Sequence, residues 1–226
     1  MNDVAASAEH TDQAELAIDP ATLVRRALLA SARELDAALV AVAASDRRRQ
    51  KALDRWFSSF AAQVRNHHEL IDTLVVPTLG ARGALDDRSL DIIADDHSYV
   101  DELLSDLGDA LGVLSFGLGA ERFWIGKASD LAGALAHVLA GQLEREERLL
   151  SPLVARCLSA EERTVVAAET LRAVATGPVR FSLAWLYAHV TDEERAAIAP
   201  HVPASSRLVW RTRRNAYERT SVAALG

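Results

Sequence analysis

Val64-Arg65-Asn66-His67-His68-Glu69-Leu70-Ile71-Asp72-Thr73-Leu74-Val75-Val76-Pro77 is the stretch on which the fold turns. Followed backward, it extends an apolar series of Leu53, Trp56, Phe60 and Val64 in steps of three and four residues; followed forward, the series runs through His67, Ile71 and Leu74. Those steps keep one face of a helix turned toward a core, so a titratable imidazole stands where a core residue belongs. Pro77 and the glycines at Gly80 and Gly83 close the pattern. Ser45-Asp46 opens it, which makes residues 46–76 one long amphipathic helix.

Three more segments carry the same periodicity. Asp19-Pro20 places an N-cap carboxylate before a proline in the first helical position, and the helix it starts runs to about Ala44 with a stripe of Leu28, Ala32, Leu35, Leu39 and Val42. Asp86-Asp87 starts a third helix reaching about Ser115, striped by Leu90, Ile93, His97, Val100, Leu104, Leu107, Leu111 and Leu114. Gly117-Leu118-Gly119 turns the chain into a fourth, Glu121 to Cys157, with Leu131, Leu135, Val138, Gln142, Glu146 and Leu149 on its face and a kink expected at Ser151-Pro152. The residues that follow predict shorter helices. Ser159 with Glu162 and Thr191 with Glu194 have capping-box spacing, Gly177-Pro178 separates two segments, and a last helix spans about Pro203 to Tyr217. Its Arg207, Arg211 and Arg214 lie on one side and read as a solvated face.

The expected architecture is all-α: an up-down four-helix bundle over residues 19–157, a C-terminal helical extension over 158–226 packed on it, and a disordered acidic tail over 1–18. Composition agrees. Half of the residues are hydrophobic but only 5% are aromatic, a profile that suits helices, and no run alternates in the manner of a strand. One cysteine, Cys157, excludes an intrachain disulfide and reads as inert packing. Residues 1–19 hold no apolar stretch, and charge interrupts every long apolar run, so neither a signal peptide nor a membrane span is expected. A net charge of −7 disfavours nucleic acid as a partner. The expectation is a soluble, cytoplasmic protein.

The polar residues that break the stripes carry the functional information, because a buried polar group without a partner costs about 1–3 kcal/mol. Extending the first stripe backward lands on Arg25. Arg25 and His67 each lie 21 residues from the turn at Asp46; His67 and His97 each lie 15 from Arg82; His97 and Gln142 lie 22 and 23 from Gly119. In an up-down bundle rising about 1.5 Å per residue, all of them reach one height. His10, His189 and His201 fall outside the stripes. Trp56, Phe57 and Phe60 read as core, while Trp124, Trp185 and Trp210 are expected to cement the C-terminal helices onto the bundle.

Three segments resemble the hemerythrin-like family of four-helix bundles, which hold a non-haem di-iron centre. Asn66-His67-His68 through Asp72 to Pro77 is similar to that family's second-helix signature, Asp95-Asp96-His97 with Leu103-Leu104 to its third, and Gln142 through Glu146-Glu147 to Pro152 to its fourth. The likeness spans about residues 20–155. What the resemblance implies is a set of histidine and carboxylate ligands, and the chain departs from it at three positions: Arg25 stands for the first-helix histidine, Ile71 for the second-helix bridging carboxylate and Gln142 for the fourth-helix histidine. His137, nine residues from Glu146, points to the opposite side and does not substitute.

His67, His97 and Glu146 remain as candidate acid/base groups, and Arg25, Gln142, Ile71 and Asp101 as candidates for binding a ligand. If a metal is held at all, His67, His97, Glu146 and Asp72 are its ligands; no cofactor is favoured, with iron the alternative. Arg25 is expected to neutralise a buried Glu146 in place of the metal. His97 with Asp101, and His68 with Asp72, are each one turn apart and read as local helix-surface pairs. Three functions follow: a metal-free hemerythrin-like protein whose polar core pocket binds a small molecule and has groups to transform it; an iron protein with a depleted ligand set, acting as a sensor, a store or an oxygen-using enzyme; and a structural or partner-binding bundle with a vestigial site.

Overall fold

The computed structural model describes residues 18–176 and 181–226. The acidic segment before Ile18 and the Gly177-Pro178 break lie outside them. Among the described residues the chain is helical throughout, without a strand: α1 (Pro20–Val40), α2 (Arg47–Leu70), α3 (Val76–Gly80), α4 (Asp87–Phe116), α5 (Glu121–Cys157), α6 (Ala160–Thr176), α7 (Ser182–Ala188), α8 (Asp192–Ile198) and α9 (Ala204–Leu225). Among the described residues no helix is long and apolar enough to cross a membrane.

The helix starts follow the capping residues. Asp19, Asp46 and Asp86 each accept a backbone N–H of the first turn they cap. Ser159 and Glu162, like Thr191 and Glu194, exchange reciprocal side-chain-to-backbone bonds. The first helix ends at Val40, short of Ala44, because the buried Gln50 amide donates to the carbonyls of Ala43 and Ala44 at 3.2 and 3.1 Å and holds that segment as a turn. Gly117 closes α4 at φ 71°, where the Arg47 guanidinium lies within 2.5 Å of where a Cβ would stand.

Pro77 does not stop the second helix. Ile71–Val75 forms a single π-helical turn joining α2 to α3, so the helix carries through the proline to Gly80. The extra residue in that turn shifts the buried face by one position. Ile71, Val75 and Leu79 are buried, and the expected Leu74 is only half-buried. Pro152 is likewise accommodated inside α5.

α1 packs on α5, α5 on α4, α4 on α2 and α2 on α1, closing a ring of four long helices. α6, α7 and α9 pack against α1 and α2. Trp185 of α7 is fully buried and donates to Ser31 of α1 at 2.8 Å, and Trp56 of α2 donates to Ser221 of α9 at 3.3 Å. Arg26 of α1 donates to both carboxylate oxygens of Glu194 at the start of α8. Trp210 instead meets Tyr187 edge-on within the C-terminal helices, and Trp124 is a partly buried residue of α5 beneath Lys127. Arg207, Arg211 and Arg214 are exposed.

The apolar interior comes in two pieces. A large cluster runs from Leu23 to Ala224 and includes Val64, Val100 and Leu143; a small one holds Ile71, Val75, Leu79, Ile93, Leu150 and Leu158. Between them on α2, α4 and α5 lies a polar layer.

Candidate functional site

Five polar side chains build that layer: His67, His68, His97, Gln142 and Glu146, none more than 5% exposed. α2 supplies the first two, α4 the third and α5 the last pair. The Glu146 carboxylate is its centre. His67 Nε2 meets Oε2 at 2.8 Å, His97 Nε2 meets Oε1 at 3.2 Å, and the Gln142 amide donates to Oε1 at 2.6 Å. Burial opposes the charge of Glu146, but the electrostatic attraction to His67 and these three hydrogen bonds outweigh it and hold the carboxyl well below its ordinary value.

Protonation follows from the partners. His97 lies between two carboxylates, with Nε2 toward Glu146 and Nδ1 3.0–3.1 Å from the Asp72 oxygens. Both nitrogens must then donate, which makes the ring an imidazolium. Burial lowers its pKa, yet hydrogen bonds and attraction from Glu146 and Asp72 raise it above the ordinary value. His68 is the opposite case. Its ring stacks on His97 at 4.0 Å, and its Nε2 accepts from Gln142 at 2.9 Å. Burial, with repulsion from His97 and His67, pushes it down to about 3, so it is neutral with its proton on Nδ1. That Nδ1 is buried without a hydrogen-bond partner, as is Gln142 Oε1.

The height argument brings His67, His97, Gln142 and Glu146 together, but not Arg25. The expected Arg25–Glu146 ion pair is absent. Successive residues on a helix are turned by about 100°, so Glu146 faces the core while Glu147 faces α1. Arg25 Nη2 stands 3.9 Å from Glu147 and 3.8 Å from Asp19, and donates to Thr22 Oγ1 at 3.0 Å. His97 provides the positive charge that was assigned to Arg25, and His67 adds a hydrogen bond to the same carboxylate. The local pairs are also exchanged. His97 takes Asp72 across the helices instead of Asp101, and Asp101, about half-exposed, sits 3.6 Å from Arg65 and 3.9 Å from His68.

Arg25 and Ile71 meet elsewhere. Both line a partly open cavity of about 260 Å³ bordered by the start of α1, the π-helical turn, α5 around Ser151 and the start of α6. Val75, Leu150, Val154 and Val166 form its apolar wall, and Arg163 and Thr164 add polar groups. None of His67, His97, Gln142, Glu146 or Asp101 lines it. Asp72, which holds His97, is the residue next to Ile71 on the shared π-helical turn.

No family model, curated protein or solved structure matches this chain. The residues themselves are the only guide to chemistry.

Two irons do not fit this donor set. Arg25 cannot lose its proton, Ile71 has no lone pair, and the Gln142 amide is turned nitrogen-first toward Glu146 and His68, leaving three imidazoles, one of them occupied by that amide, around a single buried carboxylate. Among the described residues, no group of three or more His, Cys, Asp or Glu side chains is arranged to hold a metal ion. The sequence reading missed His68 as a core residue, because two adjacent residues do not both fall on a narrow stripe. It also missed His189, whose ring is buried against Glu34 at 3.5 Å and donates from Nδ1 to the Trp185 carbonyl at 2.9 Å. Burial lowers the His189 pKa, but the bonds to Glu34 and Trp185 raise it overall. His137 and His201 are exposed, and His10 lies outside the described residues.

Proposed function

We propose that this chain is a hemerythrin-like four-helix bundle, built by α1, α2, α4 and α5, in which the di-iron site has given way to a self-neutralised His–Glu–His layer. Its function is to bind a small molecule, without a metal, in the adjoining cavity. The observation that carries this reading is the placement of Arg25 and Ile71. Two of the three residues that depart from the family's ligand set line the same cavity. Replacing a ligand histidine by arginine and a bridging carboxylate by isoleucine removes metal donors and adds a cation beside an apolar surface.

The layer supplies acid/base groups. Asp72 is half-exposed, His97 is buried, and Glu146 is buried deeper, so the three form a hydrogen-bonded chain along which a proton can be held or moved. Any transformation of the ligand would draw on His97 through Asp72, which flanks the cavity wall. The alternative reading, an iron protein using His67, His97, Glu146 and Asp72, requires both histidines to surrender protons now donated to Glu146.

The test combines metal content with ligand-observed NMR on the full chain. Iron well below one per chain, together with fragments that bind the native protein and are lost when Ala167, an α6 residue of the cavity wall, is replaced by a bulky ring in Ala167→Trp, is the expected result. Stoichiometric iron with visible charge-transfer absorption overturns it. Fragments that ignore Ala167→Trp do so as well.

A further inference from the structure

We infer that the ligand of this cavity is an amphipathic monoanion: a carboxylate on a short apolar body. The inference rests on the small-molecule reading above and names its chemistry. Arg25 is the first ground. Its side chain is 11% exposed, its Nε is buried without a hydrogen-bond partner, and of its five donors one is committed, to Thr22. Asp19 and Glu147 stand beyond hydrogen-bond reach at 3.8 and 3.9 Å, so they temper the charge without occupying the guanidinium fork. A carboxylate is the group whose two oxygens match that fork.

The surroundings agree. Arg163 places a second guanidinium in the cavity wall, anchored through Nη1 to the Leu158 carbonyl at 2.9 Å. Pro20 with Ala21, and Ala160, bring the N-terminal ends of two helices of 21 and 17 residues to the same space, and the partial positive charge of both favours an anion. Asp19 also lines the cavity, but its oxygens are committed to capping α1 through Ala21 N and Thr22 Oγ1. Apart from the Ser151 and Thr164 side chains the rest of the wall is aliphatic, which disfavours a compact hydrated ion such as inorganic phosphate as the occupant. A volume of about 260 Å³ lies below the usual range for drug-sized ligands, so the body is short, not a nucleotide or a long acyl chain.

Isothermal titration with hexanoate and with 1-hexanol separates the possibilities. Hexanoate should bind the native protein about tenfold or more tightly than hexanol, since a charge-assisted hydrogen bond discriminates by at least that factor. Arg25→Gln should remove that advantage while leaving hexanol binding unchanged, which also shows that the variant is folded. Arg163→Gln should weaken hexanoate in the same direction, and Ala167→Trp should abolish both. Equal affinity for the two probes, or an Arg25→Gln protein that still prefers hexanoate, overturns the anion while leaving a small-molecule cavity intact. Binding of neither probe overturns the anion and the cavity reading together. If Arg25→Gln does not fold, the comparison of hexanoate with hexanol on the native protein decides alone.

Discussion

Acid should weaken this protein through one histidine. In the unfolded chain His68 titrates near its ordinary 6.5, whereas in the fold it is pushed down to about 3. Between those values the unfolded chain carries a proton that the folded one refuses, so stability falls as pH drops, by about 1.4 kcal/mol per unit. At about pH 4.5, two units into the window, the accumulated loss is roughly 2.7 kcal/mol. His97 works in the other sense. Its raised value gives stability that is full below 6.5 and fades as pH climbs through the folded-state value. Glu146, held far down, stays ionised across the window. The groups around His68 are His67, His97, Glu146, Gln142 and Asp101, and all but His68 itself are retained in His68→Gln, whose amide oxygen can still accept from Gln142. Urea denaturation of both proteins from about pH 7.5 to about pH 4.5 isolates the effect. Native protein should be the more stable at the upper end, where it keeps the stacked ring, and should lose roughly 2.7 kcal/mol relative to the variant by the lower end. Parallel curves would refute a neutral buried His68.

Three further outcomes follow from the same geometry. Glu146→Gln leaves two buried histidines facing an amide, and urea denaturation should show a loss on the order of 3 kcal/mol; a change under about 1 kcal/mol would mean the layer is not charge-coupled. Arg25→Ala, by contrast, removes one hydrogen bond to Thr22 and long ion contacts to exposed carboxylates, and should cost about 1 kcal/mol. A loss of several kcal/mol there would restore the buried Arg25–Glu146 pair. Trp185→Ala takes away a fully buried ring and its bond to Ser31, so denaturation should show a loss of roughly 3–5 kcal/mol, with limited proteolysis cutting first in α7 to α9; unchanged proteolysis would show that Trp185 does not fasten those helices.

Most of the helical framework was legible, because the signals that set it are local. A carboxylate ahead of a first turn and a glycine after a last one act on the nearest backbone groups, and Asp19, Asp46, Asp86 and Gly117 all do so. Where the reading failed, a distant or compensating interaction had intervened. Gln50 reaches back to the carbonyls of Ala43 and Ala44 and ends α1 early. Pro77 lacks only its own N–H, and the preceding π-helical turn shifts which carbonyls need a donor, so the proline is absorbed. A rule about proline sees the missing donor but not the wider turn.

The candidate site was half legible for a geometric reason. Counting residues from turns gives height along a helix axis but says little about azimuth. Height alone brings Arg25 level with Glu146; a rotation of one residue puts it beside Glu147 instead, at 3.9 Å. The same blindness hid His68, which lies one residue from the stripe yet is as buried as His67, because its ring stacks on His97 of α4 and accepts from Gln142 of α5. The pairing of Asp72 with His97 had no signal in either helix alone. It depends on the π-helical turn, whose extra residue re-aims the side chains that follow His67. That single turn places Ile71 and Val75 against the cavity and Asp72 against His97, so the apolar wall and the proton-bearing layer share one short piece of backbone. Under the proposed function a ligand in the cavity would touch the backbone that carries both, and Ile71 in its wall and Arg25 across from it would then serve one site.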